Sequence, residues 1–124
     1  MSAGGRFAKY SDRRFHVEKT FTLAAWAREI SKNAPAEMKT WVAVREEAQG
    51  ASGAGVGFRV VYENKDWSAS FWESGHLDIE VTTEYSRAHT EVMQEFWIVS
   101  SPEELVQVVK RSFALEFGNE VSVD

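Results

Sequence analysis

The sequence predicts a single α+β domain, in which about five mostly antiparallel strands form a sheet with an N-terminal and a C-terminal helix packed on one face. Apolar residues recur at helical spacing near both ends of the chain, and short β-rich segments separated by turn residues fill the middle. The length of 124 residues and the 44% of apolar residues suffice for one hydrophobic core. We assign the glycine-rich residues 1–11 to a flexible arm and residues 12–124 to the domain.

The first helix is expected over residues 22–33, and residues 11–21 are left without an assigned element. Thr22 can cap this helix, and Asn33-Ala-Pro35 ends it because the residue before a proline avoids the helical region. Its apolar stripe consists of Leu23, Trp26, Ala27 and Ile30.

Five segments have the composition of strands. They are Thr40–Glu47, Val56–Glu63, Asp66–Trp72, His76–Thr83 and Val92–Val99. The small residues of Gln49–Gly57 form a loop, which lacks the Lys-Ser/Thr of a phosphate-binding loop and leads into a strand. The polar segment Glu84–Glu91 is expected to be a connection.

The turns decide which side chains face the core, because a slip of one residue exchanges the two faces of a strand. A two-residue turn at Asn64-Lys65 would pair Tyr62 with Trp67. A three-residue turn ending at Gly75, in the left-handed conformation, would pair Phe71 with Leu77. The predicted core face carries Phe58, Val60, Tyr62, Trp67, Ala69, Phe71, Leu77, Ile79 and Val81, and the opposite face carries Arg59, Glu63, Ser68, Ser70, Trp72, His76, Asp78 and Glu80.

The last helix has the clearest start signal in the chain. Ser101 is the expected N-cap, Pro102 the first helical residue, and Glu104 the partner that completes a capping box. Gly118 is placed to end the helix. Its core stripe consists of Leu105, Val108, Val109 and Phe113.

The charge is uneven along the chain, whose formal net charge is −5. Residues 1–72 contain 11 Lys/Arg and 8 Asp/Glu, a net charge of +3, whereas residues 73–124 contain 3 Lys/Arg and 11 Asp/Glu, a net charge of −8. This acidic part repels nucleic-acid phosphates and suits a basic protein partner. There is no cysteine, no signal-peptide pattern and no apolar stretch of membrane length, so we expect a cytoplasmic protein without a membrane partner.

No constellation of residues indicates catalysis, a metal or a cofactor, and we expect none of them. The three histidines have no short ligand spacing among themselves, and there is no cysteine to complete a zinc site. Asp78 and Glu80 project from the same face of one strand, so a hydrolase using this pair is an alternative hypothesis. An open sheet face, however, does not perturb carboxylate pKa values as an active-site cleft does.

A tryptophan surrounded by carboxylates on an open sheet face is typical of a protein-binding surface. The candidate partner-binding residues are Trp72, Glu73, His76, Asp78 and Glu80. The alternative is that a loop or the N-terminal arm covers Trp72.

Residues 67–81 (WSASFWESGHLDIEV) resemble the central motif of the TriTu family of bacterial immunity proteins, and Ser101-Pro-Glu-Glu-Leu105 and the helix around Trp26 agree with it. The resemblance covers about a third of the chain. It implies a cytoplasmic protein that binds and blocks a cognate toxin domain, which is expected to be basic, with a nuclease as one candidate. The resemblance carries no binding residues over. The alternative hypothesis is a non-catalytic adaptor or regulatory subunit acting as a homodimer; as an immunity protein the free chain would be a monomer or a weak dimer.

Overall fold

The computed structural model describes residues 22–45 and 54–122, which form a five-stranded antiparallel sheet with one helix before the strands and one after them. This is the α+β fold that the sequence predicts. Helix α1 spans residues 22–33, and the strands follow in the spatial order β1-β2-β3-β4-β5. The bounds are β1 Lys39–Arg45, β2 Gly55–Tyr62, β3 Lys65–Trp72, β4 His76–Ser86, β5 His89–Ile98 and α2 Pro102–Phe117.

The β2–β3 turn lies one residue earlier than predicted. Tyr62 pairs with Lys65, so the turn residues are Glu63 and Asn64, and Glu63 takes the left-handed conformation at φ 53°. The predicted pairing of Tyr62 with Trp67 is therefore wrong by two residues. A shift of two positions leaves every side chain on its expected face, because side chains alternate with a period of two. The core face was thus predicted correctly from a wrong register.

The β3–β4 turn has the predicted form. Gly75 adopts φ 96°, and its backbone N–H donates to the carbonyl oxygen of Trp72 over 2.8 Å. Glycine enters this region of φ without the steric cost that a side chain carries. The register that follows, with Phe71 opposite Leu77, confirms the prediction.

The polar segment Glu84–Glu91 is mostly strand, so the predicted connection is wrong. Strands β4 and β5 extend toward each other as far as Ser86 and His89, with a register irregularity between Glu84 and Ser86. Each strand is long enough to pair beyond the core, and the polar residues there lie in solvent. The polar residues of this segment therefore indicate that the hairpin is exposed to solvent, and they do not indicate that a strand is absent.

Helix α2 begins at the predicted cap. The Ser101 side chain accepts a hydrogen bond from the Glu104 backbone N–H over 3.0 Å, with Pro102 in the first turn. The Glu104 carboxylate accepts from the backbone N–H of Ser100 over 2.7 Å, one residue before the donor of the usual capping box. The helix ends at Phe117, and Gly118 has right-handed φ and ψ angles, so its left-handed freedom is not used.

The core lies between the two helices and the inner face of the sheet. Its centre is a cluster of aromatic rings in edge-to-face and stacked contacts with centroids 5.4–6.1 Å apart. The cluster consists of Trp26, Phe58, Trp67 and Phe113. The buried indole nitrogen of Trp67 donates to the Ser112 hydroxyl over 2.9 Å, which satisfies its one polar atom. Both helices are therefore held on one face of the sheet, as predicted.

Several predictions concern residues outside the described ranges. These are the flexible arm at residues 1–11, the unassigned residues 11–21, most of the loop Gln49–Gly57 and the end of the first predicted strand at Glu47. Of that loop, Gly55–Gly57 belong to β2. Neither helix in the described ranges combines the length and the apolar character needed to cross a bilayer.

Phe113 and Leu115 provide a matched test of the core, because both belong to α2. Phe113 is fully buried, whereas Leu115 is 77% exposed. We expect Phe113→Ala to lower the free energy of unfolding by about 3–5 kcal/mol and Leu115→Ala to change it by less than about 0.5 kcal/mol. Urea denaturation of both variants checks this; equal effects would contradict the described packing of α2.

Candidate functional site

The face of the sheet opposite the helices, called the outer face below, is not covered by any element among the described residues. Its charge changes sign across the sheet. Lysine and arginine lie on β1 and β2, and carboxylates lie on β4. The charged residues of this face include Lys39, Arg45, Arg59, Asp66, Asp78, Glu80 and Glu84.

Trp72 lies on this face at the end of β3 and is half-buried. The residue opposite it on β2 is Gly55, and a Cβ atom added there would lie 3.4 Å from Cδ1 of the indole. The same added atom would lie 2.5 Å from the carbonyl oxygen of Phe71, so a glycine is required at this close approach. The absence of a side chain at Gly55 lets the indole lie against the backbone of β2. Its partial burial therefore comes from the sheet and not from a helix.

Beside Trp72 lies an open cavity of about 490 Å³, called the β4–β5 cavity below. Its wall is mostly apolar and combines the β3–β4 turn with the ends of β4 and β5. The lining residues are Trp72, Ser74, His76, Leu77, Asp78, Phe96, Trp97 and Ile98. A second hollow of about 350 Å³ lies on the β1–β2 side, and Trp72 lines both.

Asp78 supplies the one carboxylate of the β4–β5 cavity. In the ladder it lies between Ser70 of β3 and Phe96 of β5. Its Oδ1 atom is buried and has no hydrogen-bond partner. A buried carboxylate oxygen without a partner costs free energy, because it has lost water without gaining a donor. This atom is the clearest unsatisfied group of the outer face.

The other predicted site residues are arranged differently. His76 is exposed at the rim of the cavity, with Nδ1 2.8 Å from the Ser74 hydroxyl. Glu80 lies two positions along β4, outside the cavity wall, and its carboxylate accepts a hydrogen bond from Gln94 over 2.7 Å. Glu73 is half-buried in the turn and does not line the cavity. The structure thus brings together Trp72, His76 and Asp78.

On the other side of the outer face, Arg59 of β2 is already paired with a carboxylate of β3. Arg59 donates two hydrogen bonds to Asp66, over 3.0 and 2.7 Å, and its guanidinium lies 5.0 Å from the ring centroid of Trp41. The hydrogen bonds and the charge of Asp66 raise the pKa of Arg59 above its ordinary value. Arg59 is therefore paired, whereas the carboxylates Asp78, Glu80 and Glu84 lie together on β4, so the half of the outer face around β4 is negative.

Phe96 and Ile98 are site residues that the sequence did not identify. Both project from β5 onto the outer face, and they are 75% and 69% exposed. The sequence did contain a signal for them. In residues 92–98 (VMQEFWI) apolar and polar residues do not alternate, so apolar side chains point to both faces of the strand. A strand with one buried face alternates apolar and polar residues, so this pattern indicates exposure of apolar groups on an edge.

The site offers an apolar surface, the aromatic rings of Trp72, Phe96 and Trp97, and a carboxylate oxygen that lacks a donor. Among the described residues no group of three or more His, Asp or Glu side chains could hold a metal ion. An arginine or lysine side chain from another molecule matches the site, because its aliphatic stem fits apolar walls and its charged end can donate to Asp78. Aromatic rings beside such a cation add to the attraction.

The unsatisfied Oδ1 atom of Asp78 leads to a prediction about the stability of the fold. Replacing Asp78→Val removes it and places a β-branched residue in a strand, so we expect the free energy of unfolding to rise by about 1 kcal/mol. The control Glu80→Val adds the same side chain on the same face but removes the hydrogen bond from Gln94, so its stability is expected at or below that of the wild type. Urea denaturation compares the two; a loss of stability in Asp78→Val alone would show that the carboxylate is satisfied.

The geometry above can be set beside known proteins. No protein-family model, no curated protein and no solved structure matches this chain. The resemblance of residues 67–81 to the TriTu family therefore rests on the motif residues alone.

Proposed function

We propose that this protein is an immunity protein, which neutralises a cognate bacterial toxin domain by direct stoichiometric binding on the outer face. The observation that carries the proposal is the buried, unpartnered Oδ1 of Asp78 in an apolar cavity walled by Trp72 and Phe96. A purely structural sheet gains nothing from such a group. A binding protein gains specificity, since a partner that brings a cation to the Asp78 carboxylate is favoured over one that does not.

The chemistry of the cavity defines the contact. An arginine or lysine of the toxin would place its stem against Trp72 and Phe96 and its charged end at Asp78. Interfaces concentrate their binding energy in buried contacts of this kind, where an aromatic anchor and a desolvated charge pair lie together. Phe96 and Ile98 would add apolar area around the pair, because they are exposed in the free protein.

The charge distribution supports a basic toxin domain. Residues 73–124 carry a net charge of −8, and the cation nearest the middle of the outer face, Arg59, is paired with Asp66. Opposite fields accelerate encounter between a basic protein and an acidic surface. Domains that act on nucleic acids are commonly basic, so a nuclease acting in the cytoplasm fits as the partner.

The two alternative functions find less support. A hydrolase using Asp78 and Glu80 needs both carboxylates in one cleft, whereas Glu80 lies outside the cavity wall and accepts from Gln94. A homodimeric adaptor would not account for the unpartnered carboxylate oxygen of the β4–β5 cavity. The motif at residues 67–81 and the acidic cavity favour toxin binding.

The proposal is tested by co-expressing the chain with the toxin encoded immediately upstream. We expect protection of the cells and a one-to-one complex by calorimetry. In that complex we expect Trp72→Ala and Asp78→Ala each to weaken binding by about 30-fold or more, because each removes part of a buried contact worth 2 kcal/mol or more.

The matched control is Leu115→Ala, which removes an apolar side chain that is 77% exposed on α2. Its affinity should equal that of the wild type. Absence of both complex and protection would refute the immunity function. A complex that tolerates Trp72→Ala and Asp78→Ala but not Leu115→Ala would move the binding surface to the helices.

A further inference from the structure

Strand β5 is exposed over nearly its whole length. Among its ten residues His89–Ile98, Trp97 is half-buried and the others are exposed. Large apolar side chains project from both of its faces: Val92, Phe96 and Ile98 on the outer face and Met93 on the helix side. The strand lies at the edge of the sheet and pairs on its far side with no other strand of residues 22–45 and 54–122.

An edge of this kind is a pairing surface. Natural proteins protect exposed edges with lysine, proline, bulges or very short strands, since unpaired backbone groups attract another chain. Along β5 there is no lysine, proline or glycine, and its one irregularity lies at the turn beyond Glu84. Glu91 and Glu95 are the charged residues near the middle of this edge, and four large apolar side chains are exposed beside them, which indicates a strand that is covered when the protein is at work.

We propose that the occupant is a second copy of this chain, with the two β5 strands antiparallel about a two-fold axis at Gln94. Residues opposite each other in an antiparallel pair point to the same face, so a two-fold axis perpendicular to the sheet must pass through a residue pair. Centring the pair on Gln94 joins residues 90–98 of both copies.

The carboxylates of β5 exclude the registers one residue to either side of Gln94, and registers centred on Val92 or Phe96 would pair fewer residues of β5. Centring on Met93 would place Glu91 opposite the second copy's Glu95 twice, and centring on Glu95 would place two Glu95 side chains together. Like charges directly opposite each other destabilise a strand pair. Centring on Gln94 instead sets Glu95 opposite Met93, and no carboxylate faces another.

The same register matches the apolar side chains of the outer face. Val92 lies opposite the second copy's Phe96, and the two-fold axis produces this pair twice. Aromatic and β-branched pairs are among the most favourable cross-strand contacts. The Gln94 side chains meet at the axis, where each amide can donate and accept. The product is a continuous ten-stranded sheet with the helices of both copies on one face.

The absence of cysteine allows a direct test of the register. In the proposed dimer, Gln94→Cys places two thiols directly opposite each other, within the distance that a disulfide requires. The control Thr90→Cys lies on the same strand face but eight residues from its counterpart, about 27 Å away. We expect Gln94→Cys to form an intermolecular disulfide at least about tenfold faster than Thr90→Cys. Faster reaction of Met93→Cys than of Gln94→Cys would overturn the register.

Sedimentation of the protein alone tests the dimer itself. We expect the wild type to dimerise reversibly, and Phe96→Lys to raise the dissociation constant by about tenfold or more, because it removes both Val92–Phe96 pairs. The control Leu115→Lys replaces an equally exposed apolar residue away from β5 and should have no effect. Added salt should strengthen the dimer, since each copy carries a formal charge of −5.

The outcomes separate this inference from the proposed function. Two results together would overturn the dimer and leave toxin binding untouched. The first is a wild type that stays monomeric at 200 µM, a concentration chosen for the experiment. The second is an equal rate of intermolecular disulfide formation by Gln94→Cys and Thr90→Cys. Dimerisation without protection against a toxin would support the dimer and refute the immunity function. A monomer whose β5 becomes protected only in the toxin complex would assign the edge to the toxin.

Discussion

The packing of Phe113 against Trp67 and Phe58 is the contact on which the rest of the molecule depends. The ring of Phe113 lies 5.4 Å from Trp67, 6.1 Å from Phe58 and 5.6 Å from Trp26, so one side chain of α2 joins both helices to the middle of the sheet. The hydrogen bond from Trp67 to Ser112 adds a directional constraint next to it. Apolar burial without such a constraint allows a helix to slide along a sheet, whereas a satisfied buried donor fixes one position.

Because this contact centres the helices on β2 and β3, it also decides what remains uncovered. Most inner residues of β2, β3 and β4 are buried, those of β1 are half-buried, and those of β5 are exposed apart from Trp97. The two surfaces that we interpret as functional, the β4–β5 cavity and the free edge of β5, are therefore consequences of where the helices lie. The position of the helices thus determines both where the core lies and which surfaces of the sheet stay exposed.

The sequence predicted the parts of this structure that depend on local chemistry. The cap at Ser101, the turn at Gly75 and the apolar stripes of both helices follow from the residues at those positions. The β2–β3 register was missed because Glu63, a residue without special turn preference, adopts positive φ in place of a more usual turn residue. The outer end of the β4–β5 hairpin, residues 84–91, was missed because its polar residues are exposed on both faces, so that alternation disappears. The role of Phe96 depends on its place beside Asp78 across the β4–β5 pair, which requires the pairing of the two strands to be known.

The two surfaces meet on β5, and this sets a geometric condition on their joint use. Phe96 and Ile98 line the cavity, and in the pairing about Gln94 the second copy's Thr90 lies beside Ile98. The two Ile98 residues are then separated by about 27 Å along the seam, so the cavities lie at opposite ends of it and remain open. Each Asp78 keeps its access to a cation from outside, while the second copy extends the apolar wall around it. A β5 dimer would thus present two acidic cavities on one outer face, and pairing of the edges and binding of a basic partner are compatible in the same molecule.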